Sequence, residues 1–192
     1  MPELDWVNSV YFSDSGLCAV HKTFQKHGYV QLQKFFTPKV FVKLQNLICK
    51  SSWKQQYLPD VVKCSFAQCP KEVWKLFFSP EFKVFVEVIT GFKSKKPSLS
   101  LCRFSHADYS LLNDKVASKK GILFEVEFSD SWNESYGGFT SVFRKSAEIV
   151  RICPPQNTLT IIRSDKKMQS FVKYVNHRAG TKKRVFIRGM LV

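Results

Sequence analysis

The spacing of apolar residues changes near residue 97, and this change limits the folds that the chain can adopt. Turn signals such as SDS, YGG, PPQN and SDKK recur throughout the second half. They separate eight segments of strand length that are rich in β-branched and aromatic residues: SLSLCRF (98–104), YSLL (109–112), ILFEVEF (122–128), FTSVFRK (139–145), AEIVRIC (147–153), TLTIIRS (158–164), FVKYVNH (171–177) and RVFIRGMLV (184–192). Strands at this spacing predict an antiparallel jelly roll or barrel.

The first half of the chain has a helical pattern instead. Apolar residues recur at helical spacing over 17–24, and YVQLQKFF (29–36) then alternates like a strand. Thr37-Pro38 predicts the start of a second helix. Residues 70–90 predict two further helices with a break before Pro80. We therefore expect helices that pack outside the strands of the second half.

Length and composition are typical of one globular domain. The chain has 192 residues, of which 44% are hydrophobic and 18 are Phe. We expect a single domain over 1–192, in which 1–97 supplies mostly helical support plus the first strand and 98–192 supplies the jelly-roll strands. No apolar run reaches the length of a membrane helix. The six Cys form no CxxC pair, which favours reduced thiols and a nuclear and cytoplasmic location.

The charge is strongly positive, at +15 from 30 Lys and Arg against 15 Asp and Glu. Such an excess favours association with polyanions such as RNA or ribosomes. No recognised RNA-binding motif accompanies it, so solvated loops and lysine-protected strand edges are the alternative interpretation. The basic residues fall in four clusters: KSKK (93–96), SKKG (118–121), RSDKK (163–167) and HRAGTKKR (177–184).

The stretch HADYSLLNDK (106–115) contains a candidate metal motif. His106 and Asp108 have the His-x-Asp spacing that many mononuclear iron enzymes use for two of three ligands, and His177 could supply the third. The alternative is that His106 and Asp108 are surface turn residues that hydrogen-bond to nearby backbone. Tyr136, Gly137 and Gly138 have a structural interpretation, as a tight turn with an adjoining packing residue.

Several segments resemble one known family over nearly the whole chain. They are DWVNSVYFSD (5–14), LQKFFTPKVFVKL (32–44), FVEVITGF (85–92), WNESYGGFTS (132–141) and FVKYVNHR (171–178). They are similar to the ribosomal prolyl 3-hydroxylase family of 2-oxoglutarate/iron-dependent oxygenases, which includes the termination and polyadenylation proteins and the oxygenase-degradation-domain proteins. Members carry two tandem jelly-roll domains, and the segments look like the second, C-terminal domain, which is usually non-catalytic.

The resemblance implies a fold and a set of site positions. The fold is α+β, a double-stranded β-helix (jelly roll, cupin-like) of about eight antiparallel strands with N-terminal flanking helices. Alignment on YGG places Asn113, Lys115 and His177 at the degenerate ligand positions, so no iron or 2-oxoglutarate is expected for this chain. Fe(II) and 2-oxoglutarate, assisted by ascorbate, are the cofactors of the family's catalytic domain.

Three functions therefore stay open at this point. The first is a non-catalytic scaffold or recruitment domain, with the family's catalytic domain, another protein or the ribosome as partner and no membrane association. The second is a self-sufficient dioxygenase that hydroxylates a prolyl residue of a small-subunit ribosomal protein, with iron on His106, Asp108 and His177 and 2-oxoglutarate on Arg184. Otherwise we expect Arg184 to be one of several basic residues on a strand edge. The third function is a basic RNA- or ribosome-binding module.

Overall fold

The computed structural model describes residues 5–93, 97–111 and 120–192. In this part of the chain there are four α-helices: α1 (Asp14–His27), α2 (Pro38–Cys49), α3 (Lys71–Phe77) and α4 (Pro80–Thr90). There are eleven strands: β1 (Tyr29–Leu32), β2 (Lys54–Leu58), β3 (Val62–Ala67), β4 (Pro97–Phe104), β5 (Tyr109–Ser110), β6 (Gly121–Glu127), β7 (Thr140–Arg144), β8 (Ala147–Ile152), β9 (Leu159–Ser164), β10 (Met168–Val172) and β11 (Arg184–Leu191). None of the helices in these ranges is long and apolar enough to cross a membrane.

The strands form one antiparallel sheet that curls into a nearly closed barrel. Its order is β1-β9-β6-β11-β4-β3-β5-β10-β7-β8, and β2 pairs with β3 outside that path. The long strand β11 lies between β4 and β6 and pairs with both along most of its length. This arrangement confirms the predicted jelly roll, and all eight strand segments predicted after residue 97 contribute to it.

Local sequence signals set the ends of the helices. The hydroxyl of Ser13 accepts a hydrogen bond from Gly16 N at the start of α1, and Ser79 caps α4 in the same way. Gly28 ends α1 in the left-handed conformation, with φ of 77°. The predicted break before Pro80 is confirmed, because α3 ends at Phe77 and α4 begins at Pro80.

Two predictions of detail were wrong. The region 1–97 holds three complete strands rather than one, because β2 and β3 form a hairpin over 54–67 that was not predicted. Every residue of β2 is exposed, so its sequence lacks the alternation that marks a half-buried strand. The strand predicted over 171–177 lies earlier, at Met168–Val172, and His177 follows it in a 3-10 turn.

The sheet buries a different kind of core on each face. We call the cluster between the sheet and the helices the helix-side core. It is apolar and rich in phenylalanine, and it includes the fully buried Phe24, Phe35, Phe77, Phe82, Phe85 and Phe124. We call the inward side of the curled sheet the barrel interior. It combines smaller apolar clusters with buried charged side chains, so the candidate site lies there.

Candidate functional site

The buried charges of the barrel interior come from two neighbouring strands. In β6, alternate residues point to the two faces, so Glu125 and Glu127 lie inward while Phe124 and Val126 pack in the helix-side core. In β11 the same alternation places Arg184 and Arg188 inward. We call these two glutamates and two arginines the Arg–Glu network.

Arg184 is the most deeply buried member of the network, with none of its side chain exposed to solvent. Its Nε donates to Glu127 Oε2 at 3.0 Å, and its Nη2 lies 3.4 Å from Glu125 Oε2. Its Nη1 donates to the Gly138 carbonyl oxygen at 2.6 Å and to Thr140 Oγ1 at 2.9 Å. All three guanidinium nitrogens are therefore bonded within the protein.

The burial of Arg184 corrects the expectation that it is a basic residue on a strand edge. β11 is a central strand with a partner on each side, so its inward side chains have no route to solvent along a free edge. Arg184 thus does not share the solvated surface expected for the cluster 177–184. Its guanidinium carbon also lies 4.4 Å from the centre of the Phe186 ring, within the range of a cation–π contact.

Arg188 completes the network nearer to solvent. Its side chain is 22% exposed, and its Nε donates to Glu125 Oε1 at 2.7 Å. Its Nη2 donates to the same carboxylate oxygen. Glu125 also accepts from Thr140 Oγ1 at 3.2 Å, so this carboxylate bonds to two arginines and one hydroxyl.

The network is neutral, because two glutamates face two arginines. Removing these charges from water is costly, and the ion pairs and hydrogen bonds offset that cost only while every partner is present. Burial raises the pKa of the Glu127 carboxyl, while the Arg184 charge and the hydrogen bonds from Ser129 act in the opposite direction. The network therefore cross-links β6 and β11 inside the barrel, and both arginines donate hydrogen bonds to the glutamates.

A small pocket opens at the mouth of the barrel beside Arg188. Its volume is about 230 Å³, and its walls come from the β2–β3 hairpin and from the inward faces of β4 and β11. The lining includes Gln56, Phe66, Cys102, Ser110, Phe186 and Arg188. Burial raises the pKa of the Cys102 thiol to about 12, so this thiol stays protonated and is a poor nucleophile at neutral pH.

The HAD turn lies beside the loop that carries His177, but the three proposed ligands do not form a metal site. Ala107 N donates to Val175 O, and Val175 N donates to Asp108 O, both at 2.9 Å. His106 and His177 are exposed, whereas Asp108 is buried, contrary to its expected surface position. Asp108 Oδ2 accepts from Ser105 N at 2.8 Å, and burial raises the pKa of this carboxyl.

The side chains of the barrel interior do not fit iron either. The described residues contain no group of three His, Cys, Asp or Glu side chains that could hold a metal ion. All four histidines of the chain lie in the described ranges, and none of them is buried. The two inward carboxylates, Glu125 and Glu127, are paired with arginines whose charge opposes a divalent cation. The predicted degenerate positions Asn113 and Lys115 lie outside the described residues.

The loop before β7 anchors Arg184 from the other side. Gly137 and Gly138 have φ of 73° and 67°, so the predicted structural role of the glycines rests on a left-handed backbone. A β-carbon at Gly137 would overlap the Tyr174 carbonyl oxygen. Trp132 Nε1 donates to Gly137 O at 3.0 Å, and the Trp132 and Tyr136 rings meet edge to face. The loop thereby holds the Gly138 carbonyl against the guanidinium.

Solved structures with low sequence identity share this fold. A prolyl-4-hydroxylase of Pseudomonas putida superposes with a TM-score of 0.71 at 12% identity, covering 91% of this chain and 97% of that protein. A prolyl hydroxylase of Trichoplax adhaerens, solved with a hypoxia inducible factor peptide fragment, has a TM-score of 0.68 at 13% identity, covering 91% of this chain and 88% of that one. At these identities the similarity establishes the jelly-roll architecture alone.

Sequence comparison adds the family. Prolyl 3-hydroxylase OGFOD1 of Xenopus laevis is 30% identical over 92 residues, which cover 44% of this chain and 18% of that protein. The mouse protein of the same name is 29% identical over 100 residues, or 48% of this chain and 18% of that protein. The matches thus span under a fifth of either relative. The model of the oxoglutarate and iron-dependent oxygenase degradation C-terminal domain matches residues 64–188, well over half of this chain, and the chain therefore belongs to that family.

Proposed function

We propose that this domain is a non-catalytic, dioxygenase-like module of a ribosomal prolyl hydroxylase, acting as a scaffold or as a site of partner recruitment. The observation that carries the proposal is the engagement of Arg184. The alternative of a self-sufficient dioxygenase places 2-oxoglutarate on Arg184, but every guanidinium nitrogen here already bonds to Glu125, Glu127, Thr140 or Gly138. A cosubstrate carboxylate would have to displace buried glutamates to reach it.

A closed interior suits a scaffold better than an enzyme. Catalysis on iron needs open coordination positions and a basic group that can exchange water for cosubstrate. Arg184 offers no such group, because the protein occupies all of its guanidinium nitrogens. Arg188, which is 22% exposed beside the pocket, already donates from Nε and Nη2 to Glu125. The partners that we propose are the catalytic domain of the same family, another protein or a ribosomal component, in the nucleus and cytoplasm. Fe(II) and 2-oxoglutarate would then be bound by the partner domain.

Isothermal titration with Mn(II), as a redox-stable substitute for Fe(II), and with 2-oxoglutarate tests this proposal. The prolyl-4-hydroxylase of Pseudomonas putida serves as a positive control of the same fold. We expect no saturable heat for either ligand with this chain. Micromolar affinity for both ligands would overturn the proposal and favour the self-sufficient dioxygenase.

A variant separates the two outcomes further. If binding of Mn(II) were observed, His106→Ala would abolish it only under the hypothesis that His106, Asp108 and His177 bind the metal. Retention of affinity in that variant would assign the metal to other residues. Exposed His106 can be replaced without loss of packing, so circular dichroism should show an unchanged fold in either case.

A further inference from the structure

Two of the four basic clusters in the sequence, 118–121 and 163–167, contribute to one surface groove that is separate from the barrel interior. We call it the basic groove. It has a volume of about 670 Å³ and lies between the end of α4, the start of β6 and the turn from β9 to β10. Its lining includes Phe92, Lys120, Arg163, Lys166 and Lys167. Residues far apart in sequence therefore concentrate positive charge at one place.

The cations of the groove are available to a ligand. Lys120, Arg163, Lys166 and Lys167 are all exposed, and none is ion-paired with a carboxylate of the described residues. The one acidic residue in the lining, Asp165, forms an ion pair with Arg144, in which Oδ2 lies 3.1 Å from Nε. Its charge is thus largely compensated, and the groove keeps a net positive field.

Arg163 is held in place before any ligand binds. Its Nη2 donates to Gln25 Oε1 at 3.1 Å, and its guanidinium carbon lies 5.2 Å from the centre of the Phe24 ring. A fixed guanidinium loses less conformational entropy on binding than a free one, because its orientation is already set. The lysines, by contrast, are flexible point charges that can follow successive phosphates.

Phe92 and the backbone of the groove indicate which polyanion fits. Phe92 is half-buried against the helix-side core, so its ring is a fixed apolar surface beside the cations. Gly91 has no side chain, and no atom beyond its chain neighbours lies within 4 Å of its β-carbon position, so the groove is open at this residue. Cations along a groove together with an aromatic surface for a base are the features that bind single-stranded nucleic acid.

We propose that the basic groove binds a single-stranded polynucleotide, with phosphates on Lys120, Arg163, Lys166 and Lys167 and one base against Phe92. The proposal does not depend on the absence of catalysis in the barrel. An acidic lipid surface would use the same cations, but it would not require a recessed groove with an aromatic wall. An acidic protein segment would use the cations without stacking on Phe92.

Fluorescence anisotropy of labelled oligouridylate and oligothymidylate of about twelve nucleotides tests the proposal with the full chain. We expect Kd to rise steeply between about 50 and 200 mM salt, so that the logarithm of the association constant falls with the logarithm of the salt concentration at a slope of about −0.7 per phosphate contact. Lys166→Glu/Lys167→Glu should weaken binding about tenfold or more and reduce the slope by about 1.4, as expected for two lost contacts. Phe92→Ala should weaken binding with little change in slope.

A matched control removes the effect of net charge. Lys39→Glu/Lys43→Glu makes the same change in charge at two exposed positions of α2. This helix lies away from the groove, because Gln45 of α2 contacts Gln156, which precedes β9, whereas the groove lies where β9 ends. The control variant should leave Kd within about twofold at 0.15 M salt, where the Debye length is about 8 Å. Equal losses in the two double variants would overturn the proposal.

Two other results would also overturn it. One is the absence of binding to either oligonucleotide at low salt. The other is binding to vesicles of anionic phosphatidylserine, lost in Lys166→Glu/Lys167→Glu, without binding to oligonucleotides, which would assign the groove to a membrane surface. Preference for oligouridylate or for oligothymidylate would support the proposal in either case, because both are single-stranded polynucleotides.

Discussion

Strands β6 and β11 present opposite chemistry on their two faces. On the helix side, Phe124 lies in a fully buried aromatic cluster, with its ring centre 5.3 Å from that of Phe77 and 5.5 Å from that of Phe82. On the barrel side, the next residue along, Glu125, bonds to Arg184 and Arg188. The first face gains stability from apolar area removed from water, whereas the second requires a specific set of partners.

The difference teaches how a jelly roll can keep its shape while its interior holds charged side chains. The helix-side core is non-directional, so it supports the strands whatever the barrel contains. Gly189 illustrates the close fit on that side, because it pairs with Phe124 across the sheet and a β-carbon there would overlap the ring. The barrel side can then hold a buried ion-pair network while the helix side maintains the fold.

Truncation of Phe124 should have the largest effect and tests the helix-side core. Phe124→Ala removes a fully buried ring and leaves a cavity between α3, α4 and the sheet, so we expect a loss of about 3–5 kcal/mol in the free energy of unfolding. Urea denaturation measures the loss. Tyr57→Ala, at an aromatic residue that is 63% exposed in β2, should lose far less. Equal losses would contradict the packing described for the helix-side core.

Removal of one charge from the barrel interior should lower the free energy of unfolding nearly as much as Phe124→Ala, because it leaves the opposite charge buried without a partner. Arg184→Met leaves the Glu127 carboxylate buried without its cation, so we expect a loss of about 3–5 kcal/mol in the free energy of unfolding. Arg184→Met/Glu127→Leu removes both charges and should recover much of the loss. Urea denaturation of both variants and the parent checks this. No recovery in the double variant would mean that Arg184 stabilises the fold mainly through Gly138 and Thr140.

These two predictions also separate what the sequence could and could not reveal. The helix-side core follows from apolar periodicity in α1, α2 and α4 and from the eight strand segments, so the fold could be predicted. The hairpin of β2 and β3 could not, because exposed KQQYL shows no alternation. The strand YVQLQKFF could be recognised, since Val30 and Leu32 alternate with exposed Gln31 and Gln33.

The Arg–Glu network was missed although a signal was present. Glu125 and Glu127 stand two residues apart in an otherwise apolar strand, and Arg184 and Arg188 stand four apart in another, so each pair shares one face. Opposite charges at same-face positions of two buried strands suggest a buried network. Which strands are neighbours depends on long-range topology, and β6 and β11 are about sixty residues apart, so the pairing could not be read from local pattern.

A substitution in the loop that holds Arg184 should lower the free energy of unfolding less than the two changes above. Gly137→Ala would force a β-carbon onto the Tyr174 carbonyl oxygen and should destabilise by about 1–3 kcal/mol through overpacking, in addition to the cost of a left-handed alanine. Gly91→Ala is a comparison without the overlap, because Gly91 also has a positive φ, of 71°, but no atom beyond its chain neighbours lies within 4 Å of the added carbon. Its ψ of 10° is less costly for alanine than the ψ of −148° at Gly137, so we expect the smaller loss at Gly91 on both grounds. Thermal unfolding of both variants measures the difference. Similar losses would mean that the loop moves to accommodate the methyl group.

The smallest loss of stability is expected for an exposed group of ion pairs, in contrast to the buried Arg–Glu network. Arg151 on β8 lies 2.8 Å from Glu148 and 2.6 Å from Glu134, and its side chain is 46% exposed. Solvent screens such contacts, so Arg151→Gln should lower the midpoint of urea unfolding only slightly. Arg178→Gln is the control, since exposed Arg178 has no ion pair with a carboxylate of the described residues.

The pH dependence of the stability difference between Arg151→Gln and the parent tests whether the Glu148 carboxylate causes it. The Arg151 guanidinium and the Ser141 hydroxyl donate to Glu148 and hold the pKa of its carboxyl below the ordinary value for glutamate. A carboxyl with a depressed folded-state pKa contributes stability that is fully present above its unfolded pKa and is lost as pH falls through its folded pKa. The difference between Arg151→Gln and the parent should therefore be constant from about pH 7 to 5 and should shrink below the ordinary glutamate pKa of about 4.3. A difference that grows as the solution becomes more acidic would contradict this assignment, because protonated Glu148 no longer attracts the guanidinium.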